Sequence, residues 1–178
     1  MLENEHRGEY ADVMERAFYN TVLAGMQLDG KRFFYVNPLE VVPGISGKAV
    51  THRAVLPTRP QWYACACCPP NVARMVSSFG SYAYSENEDT FFIDLYAGGT
   101  VTTEKGITLT CETDFPHGGT AKYTIKGETE TTVAIRIPAW SEKSVLTVNG
   151  EAVDLNAATK DGYAYITRAW KDGDTLAL

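Results

Sequence analysis

The sequence predicts an α+β protein, a helical first part followed by an antiparallel β-sandwich, on three observations. Apolar residues recur at three-to-four spacing from Glu9 to Leu23 and again from Asn71 to Tyr84, which is the stripe of an amphipathic helix. After Glu86-Asn87-Glu88-Asp89 the pattern changes to short alternating or apolar runs rich in Thr, Val, Ile and Tyr, the composition of half-buried strands. Glycine-containing turn pairs then punctuate the rest of the chain at short, regular intervals, the rhythm of a sandwich. The division falls between residues 1-86 and 87-178.

In order, Tyr10, Val13, Met14, Ala17, Phe18 and Val22 form the stripe of the first helix, which Gly25 ends or loosens. Asp29-Gly30 marks a turn, and Arg32 to Pro38 reads as a short strand stopped by proline. Residues Val42 to Gln61 hold Pro43, Gly44, Gly47, Pro57 and Pro60 without periodicity, and loops of that length are more often functional than idle. The second helix carries Val72, Met75, Val76, Phe79 and Tyr82, with Gly80 weakening its last turn. Strands are predicted at Thr90–Tyr96, Gly99–Thr103, Ile107–Thr113, Thr120–Lys126, Thr131–Ile137, Ser144–Val148, Ala152–Val153, Tyr163–Arg168 and Thr175–Leu178. Asn149-Gly150 and Asp161-Gly162 are hairpin turns. The chain stops within the last of these runs, which predicts truncation.

Composition excludes several function classes. The 178 residues are 44% apolar and 11% aromatic, globular rather than disordered. Sixteen basic against 22 acidic residues give a net charge of -6 with no Lys/Arg cluster, which argues against a nucleic-acid partner. No run approaches the ~20 apolar residues of a membrane span. The opening residues are too charged for a signal peptide, so the expected setting is the reducing cytoplasm.

The run Cys65-Ala66-Cys67-Cys68-Pro69-Pro70-Asn71 places three of the four cysteines within four positions. Such density closes disulfides, holds a soft metal or presents a reactive thiolate. Neighbours this close bridge one another with difficulty and Cys111 is remote, so a reduced site fits better. The proline pair suits the first turn of a helix, which puts Cys67 and Cys68 at its N-terminus. Unpaired N–H groups there favour negative charge, the setting in which reactive thiolates occur. The alternative is a cysteine-lined core, since unpaired Cys is often buried. Zinc is the natural metal for adjacent thiolates but takes about four ligands, and the sequence holds no second Cys pair.

Other candidates are single residues. Glu40 is a carboxylate that follows an aromatic segment and precedes the long loop, with a solvated loop role as its alternative. Tyr35 and Trp62 could stack on a sugar ring or serve a core. His6, His52 and His117 read as terminal, loop and turn residues.

Several blocks in order resemble glycoside hydrolase family 127, the β-L-arabinofuranosidases: Ala11-Asp12-Val13-Met14-Glu15-Arg16, Tyr19 to Gly25, Phe33 to Glu40, and Trp62 to Arg74 with its cysteines. Ile135 to Trp140 and Val148-Asn149-Gly150 resemble that family's β-sandwich region. The resemblance implies a retaining glycosidase with a cysteine nucleophile held on zinc, in an (α/α)6 barrel followed by β-sandwich domains. It implies Cys67 as nucleophile and zinc ligand, Cys68 as a second ligand, and Cys65 as a close neighbour. Tyr35, Glu40 and Trp62 would stand nearby, and the partner would be a small-molecule glycoside.

The family's Glu-x-Cys ligands and its acid/base Glu have no counterpart in these residues. The resemblance therefore places residues 1-86 in the C-terminal part of the barrel, and predicts that this polypeptide alone is inactive and holds zinc weakly or not at all. An incomplete barrel leaves apolar helix faces without partners, which predicts a homo-oligomer. The competing functions are a carbohydrate-binding or interaction module built on the β region, and a redox or metal-storage role for the thiols.

Overall fold

The computed structural model describes residues 5–62 and 67–178. They form two compact units, Met14–Phe79 and the combination of Met1–Val13 with Gly80–Leu178. Helix α1 (Gly8–Ala17) contributes to both. No helix among the described residues is long and apolar enough to cross a membrane.

In the first unit the α-helix ends earlier than its apolar stripe suggests. After Ala17 it widens into a π-turn over Phe18–Val22 and tightens into a 3-10 turn over Leu23–Gly25. The run Phe18-Tyr19-Asn20-Thr21-Val22 contains aromatic, Asn and β-branched residues, all of modest helix propensity. The Phe18 ring packs on Phe79 at 4.4 Å. The chain leaves at Met26 in an extended conformation.

The strand expected over 32–38 does not form. Its ladder is one bridge, Met26↔Phe33, closed around Asp29-Gly30 with Gly30 at φ +70. Gln27 N–H donates to Arg32 O and Phe34 N–H to Gly25 O, both at 2.8 Å. The second predicted helix is two helices, α2 (Cys68–Ser77) and α3 (Gly80–Ala83). Ser77 and Ser78 hydroxyls donate back to carbonyls of Ala73 and Arg74, local bonds that compete with helix continuation, and Gly80 follows.

The second unit holds eleven strands: β1 (Tyr84–Glu86), β2 (Thr90–Ile93), β3 (Gly99–Thr102), β4 (Thr108–Thr113), β5 (Ala121–Lys126), β6 (Thr129–Arg136), β7 (Thr147–Val148), β8 (Glu151–Ala152), β9 (Thr159–Lys160), β10 (Tyr163–Trp170) and β11 (Thr175–Ala177). Helix α4 (Leu155–Ala158) is capped by Asp154, whose carboxylate accepts from Asn156 N–H at 3.0 Å. One sheet runs β1-β2-β6-β10-β9, the other β3-β4-β5-β11-β7-β8. β1, β9 and α4 were not anticipated, and the run before Val148 pairs only over Thr147–Val148.

The expectation of purely antiparallel pairing needs correction at one place. β2 pairs β6 in parallel, Thr90↔Thr132 through Ile93↔Ile135. Between them the chain crosses to the other sheet and builds β3, β4 and β5. A crossover of that length is what parallel neighbours require.

Alternation decides what is buried. In β5, Ala121, Tyr123 and Ile125 are buried while Lys122 and Lys126 face solvent. Ile93, Val133 and Ile135 of the first sheet share one core with Leu109, Tyr123 and Leu176 of the second. Phe92, Ala134 and Tyr163 form a smaller cluster on the first sheet, where His6 stacks on Phe92 with centroids 3.7 Å apart. Asn149-Gly150 and Asp161-Gly162 have positive φ at both residues, as two-residue hairpin turns demand.

The start of α1 is held within this unit at Gly8 and Asp12. Gly8 N–H donates to Asp161 O at 2.7 Å, so close that a Cβ on Gly162 would lie 2.9 Å from Gly8 Cα. Asp12 pairs with Arg136, which is fully buried. The Arg136 Nε also donates to Asp94 O at 2.7 Å, and its carbonyl accepts from the Tyr96 hydroxyl. Asp94 in turn accepts from Tyr163 Oη at 2.5 Å and Ser85 Oγ at 2.7 Å.

Candidate functional site

Cys67 is the N-cap of α2 and Cys68 its first residue, with Pro69 and Pro70 completing the first turn. Asn71 closes that turn, its side-chain amide donating to Cys67 O at 2.8 Å and its backbone N–H at 3.3 Å. The prolines remove two of the N–H groups that would otherwise face an anion. This helix start is thus poor in backbone N–H donors.

The two sulfurs are 3.6 Å apart. That is far beyond the ~2.05 Å of a disulfide. Two sulfurs on one tetrahedral zinc, each at ~2.3 Å, would be about 3.8 Å apart, so the pair fits one edge of a zinc site. Cys67 is exposed and Cys68 half-buried. The Cys68 thiol points at Tyr35 O, 3.9 Å away. Among the described residues no cluster of three or more His, Cys, Asp or Glu could hold a metal.

The segment behind Cys68 is held by residues that motif reading did not single out. Arg59 donates from Nε and a terminal nitrogen to Ala24 O, at 3.1 and 2.5 Å, and lies over the Phe34 ring at 4.6 Å. Asn37 donates to Thr21 O at 2.9 Å, and Phe33 N–H to Pro60 O at 3.2 Å. These bonds tie the chain carrying Tyr35 to the end of the first helix. The available signal was a single arginine within a Pro-bounded stretch, Pro57-Thr58-Arg59-Pro60.

Of the predicted site residues, the structure brings together Cys67, Cys68 and the Tyr35 backbone. The Tyr35 side chain is 44% exposed and Trp62 68%. Glu40 is also exposed, and no hydrogen bond or ring contact among the described residues ties Glu40 or Trp62 to the thiols. Cys65 lies outside the described residues. An apolar cleft of about 430 Å³ flanks α2 between Met26, Phe33, Pro69, Val72 and Val76, and neither Cys67 nor Cys68 lines it.

Comparison with known proteins decides the family. The description "Beta-L-arabinofuranosidase, GH127 catalytic domain" matches residues 1–81, and that of the GH127 middle domain matches residues 90–178. This chain belongs to glycoside hydrolase family 127. A non-reducing end β-L-arabinofuranosidase of Bifidobacterium longum subsp. longum is 37% identical over the whole chain. The crystal structure of a GH127 β-L-arabinofuranosidase from Geobacillus stearothermophilus T6 matches with a TM-score of 0.90 at 45% identity, covering 99% of this chain and 28% of that one. A further GH127 β-arabinofuranosidase matches with a TM-score of 0.82 at 31% identity, covering 99% and 29%.

The chain spans 28% of the length of its Bifidobacterium relative. In this GH127 chain the thiol pair falls within the catalytic-domain match, and the Trp140 region within the middle-domain match. Residues 5–13 fall within the catalytic-domain match yet fold with the β unit, because Gly8 and Asp12 make their contacts there.

Proposed function

We propose that this chain is part of a zinc-dependent retaining glycoside hydrolase acting on β-L-arabinofuranosides, with Cys67 as nucleophile and Cys68 beside it as a metal ligand. The observation that carries this reading is the 3.6 Å thiol pair at a donor-poor helix start. Family membership and the names of the relatives support the substrate class. On the same reading, residues 1–86 come from the C-terminal part of an (α/α)6 barrel and the two sheets form a β-sandwich, which their shared core supports.

Cys67 and Cys68 would both hold the zinc, which when bound keeps thiols deprotonated near neutral pH. The exposed Cys67 sulfur attacks the anomeric carbon, and the bond to the leaving oxygen breaks as that oxygen takes a proton from a general acid. Water then displaces sulfur from the same carbon, giving up a proton to the conjugate base and restoring the thiolate. Two displacements retain the anomeric configuration. Cys68 is half-buried against the Tyr35 backbone and Cys67 is exposed, which leaves Cys67 as the accessible sulfur. Glu40 is not in contact with the thiols, so we assign the general acid and the remaining ligands to other parts of the full protein. The 178-residue chain alone should accordingly be inactive.

The test uses the full-length enzyme. Purified protein should carry one zinc per chain and cleave an aryl β-L-arabinofuranoside with retention. Cys67→Ser should abolish turnover, and mass spectrometry of quenched wild type should find a pentosyl adduct on the Cys67 peptide. Turnover by Cys67→Ser at wild-type rate would overturn the assignment.

A further inference from the structure

A second cleft, of about 410 Å³, opens in the β unit, and none of the thiol chemistry uses it. We propose that it is a saccharide-binding site in which the Trp140 indole is the platform for a sugar ring.

Trp140 is 55% exposed among the described residues, and Ala177 and Leu178, the last residues of this chain, line the same cleft. The indole ring is anchored. It stacks on Phe115 with centroids 6.2 Å apart and planes 22° from parallel. Phe115 meets Tyr96 edge-on at 5.5 Å, and the Tyr96 hydroxyl is bonded to the carbonyl of buried Arg136. A ladder of three rings therefore runs from the core to the cleft. It holds the outermost indole in place before any ligand arrives, so ordering that side chain costs a ligand little.

The surroundings of the indole select the ligand. Ser141 and Ser144 line the cleft, their hydroxyls 2.9 Å apart, together with Thr120, Thr147 and Lys143. A sugar ring offers a face of C–H bonds for the indole and hydroxyls at its edge for such donors and acceptors. Sites of this kind combine an aromatic wall with a few polar groups that fix orientation. Lys143 is the charged side chain in the lining, so the cleft lacks the field that would gather a polyelectrolyte, and its volume suits one or two rings. The site would hold a saccharide on the β unit through contacts independent of Cys67. That the sugar is arabinose rests on the function proposed above; stacking on Trp140 does not.

Titration of the full 178-residue chain with an L-arabinose oligosaccharide, followed by calorimetry and by amide NMR shifts, tests this. Saturable binding is expected, with shifts centred on residues 138–147. Trp140→Ala should weaken it about tenfold or more, the loss of one stacked ring. Lys143→Ala should weaken it a few-fold with circular dichroism unchanged. Trp62→Ala and Cys67→Ser should bind as wild type does. Binding that persists in Cys67→Ser while the full enzyme keeps its activity upholds the cleft and removes the thiol mechanism, so the two readings fail separately. The proposal is overturned by absence of saturable binding, by equal affinity in Trp140→Ala, or by concentration-dependent dimers that Trp140→Ala dissolves.

Discussion

The carboxylate of Asp12 and the guanidinium of Arg136 meet at 2.5 Å across 124 residues of sequence, and the arginine end of that pair is fully buried. The second Asp12 oxygen takes Ala139 N–H at 3.3 Å, so one side chain of α1 satisfies two donors at the end of β6. Removing Asp12 takes the carboxylate partner from a buried guanidinium that keeps its bond to Asp94 O, and loss of one member of a buried pair costs far more than the intact pair contributes. Asp12→Ala should destabilise the β unit by about 3 kcal/mol. Urea unfolding is the measurement, and a loss below about 1 kcal/mol would show that Arg136 finds other compensation.

The Gly8 and Gly162 backbones touch nearby. Gly162 has φ +83, and a Cβ there would meet Gly8 Cα at 2.9 Å, so Gly162→Ala carries both backbone strain and a clash. A lowered melting temperature is expected, together with faster hydrogen exchange at residues 8–12. Gly150→Ala, with φ +83 but nothing within 4 Å, separates strain from clash and should cost less.

His6 lies against Phe92 with its Nε2 buried and, among the described residues, without a hydrogen-bond partner. Burial pushes its pKa below the ordinary 6.5, against the opposing pull of Asp94. The folded state then favours the neutral ring. Stability is fully present above pH 6.5 and is lost as pH falls through the depressed pKa of the folded state. His6→Phe keeps the stack and removes the titration. Its melting temperature should lack the decline expected of wild type as pH falls below 6.5, and an unchanged pH slope would count against this account.

Cys111 differs chemically from the helix pair. It is 4% exposed in the core, and burial pushes its thiol up. Under brief alkylation at pH 7.5, Cys67 and Cys68 should label, and Cys111 only after unfolding. Peptide mapping reads this directly, and rapid labelling of Cys111 in native protein would mean that the core opens.

Arg59 makes two bonds to Ala24 O and covers the Phe34 ring. Arg59→Ala should cost the unit of residues 14–79 about 1–2 kcal/mol. Arg59→Lys should recover only part, because a point charge replaces a planar fork. Exchange rates at residues 33–37 are the readout, and protection equal to wild type in Arg59→Ala would show that the Asn37 bond and the backbone bonds of Phe33 and Phe34 hold the segment without it.

Alternation placed most strands within a few residues, since the in/out pattern of Ala121, Tyr123 and Ile125 is written locally. The two-residue turns at Asn149-Gly150 and Asp161-Gly162 were legible for the same reason: positive φ restricts residue type. The segment at 32–38 misled because a strand exists only where a neighbour accepts its backbone. Here Phe33 found a single bridge partner. The helix stripe past Ala17 was equally real as a pattern, yet the Phe18–Phe79 contact and weak local propensity let the backbone widen there.

The sequence by itself determined that two thiols stand side by side at a helix start, because Cys67, Cys68 and two prolines are consecutive and a first turn tolerates proline. It also determined the α+β class and the family, both carried by local pattern. Only the tertiary structure decided that β2 and β6 run parallel, that α1 is fastened by Asp12 to Arg136, that Arg59 and Tyr35 stand behind the thiols, and that Phe115 and Tyr96 hold Trp140 over a cleft. Each joins residues far apart in sequence, and such pairings follow from how the whole core packs rather than from any window of the chain.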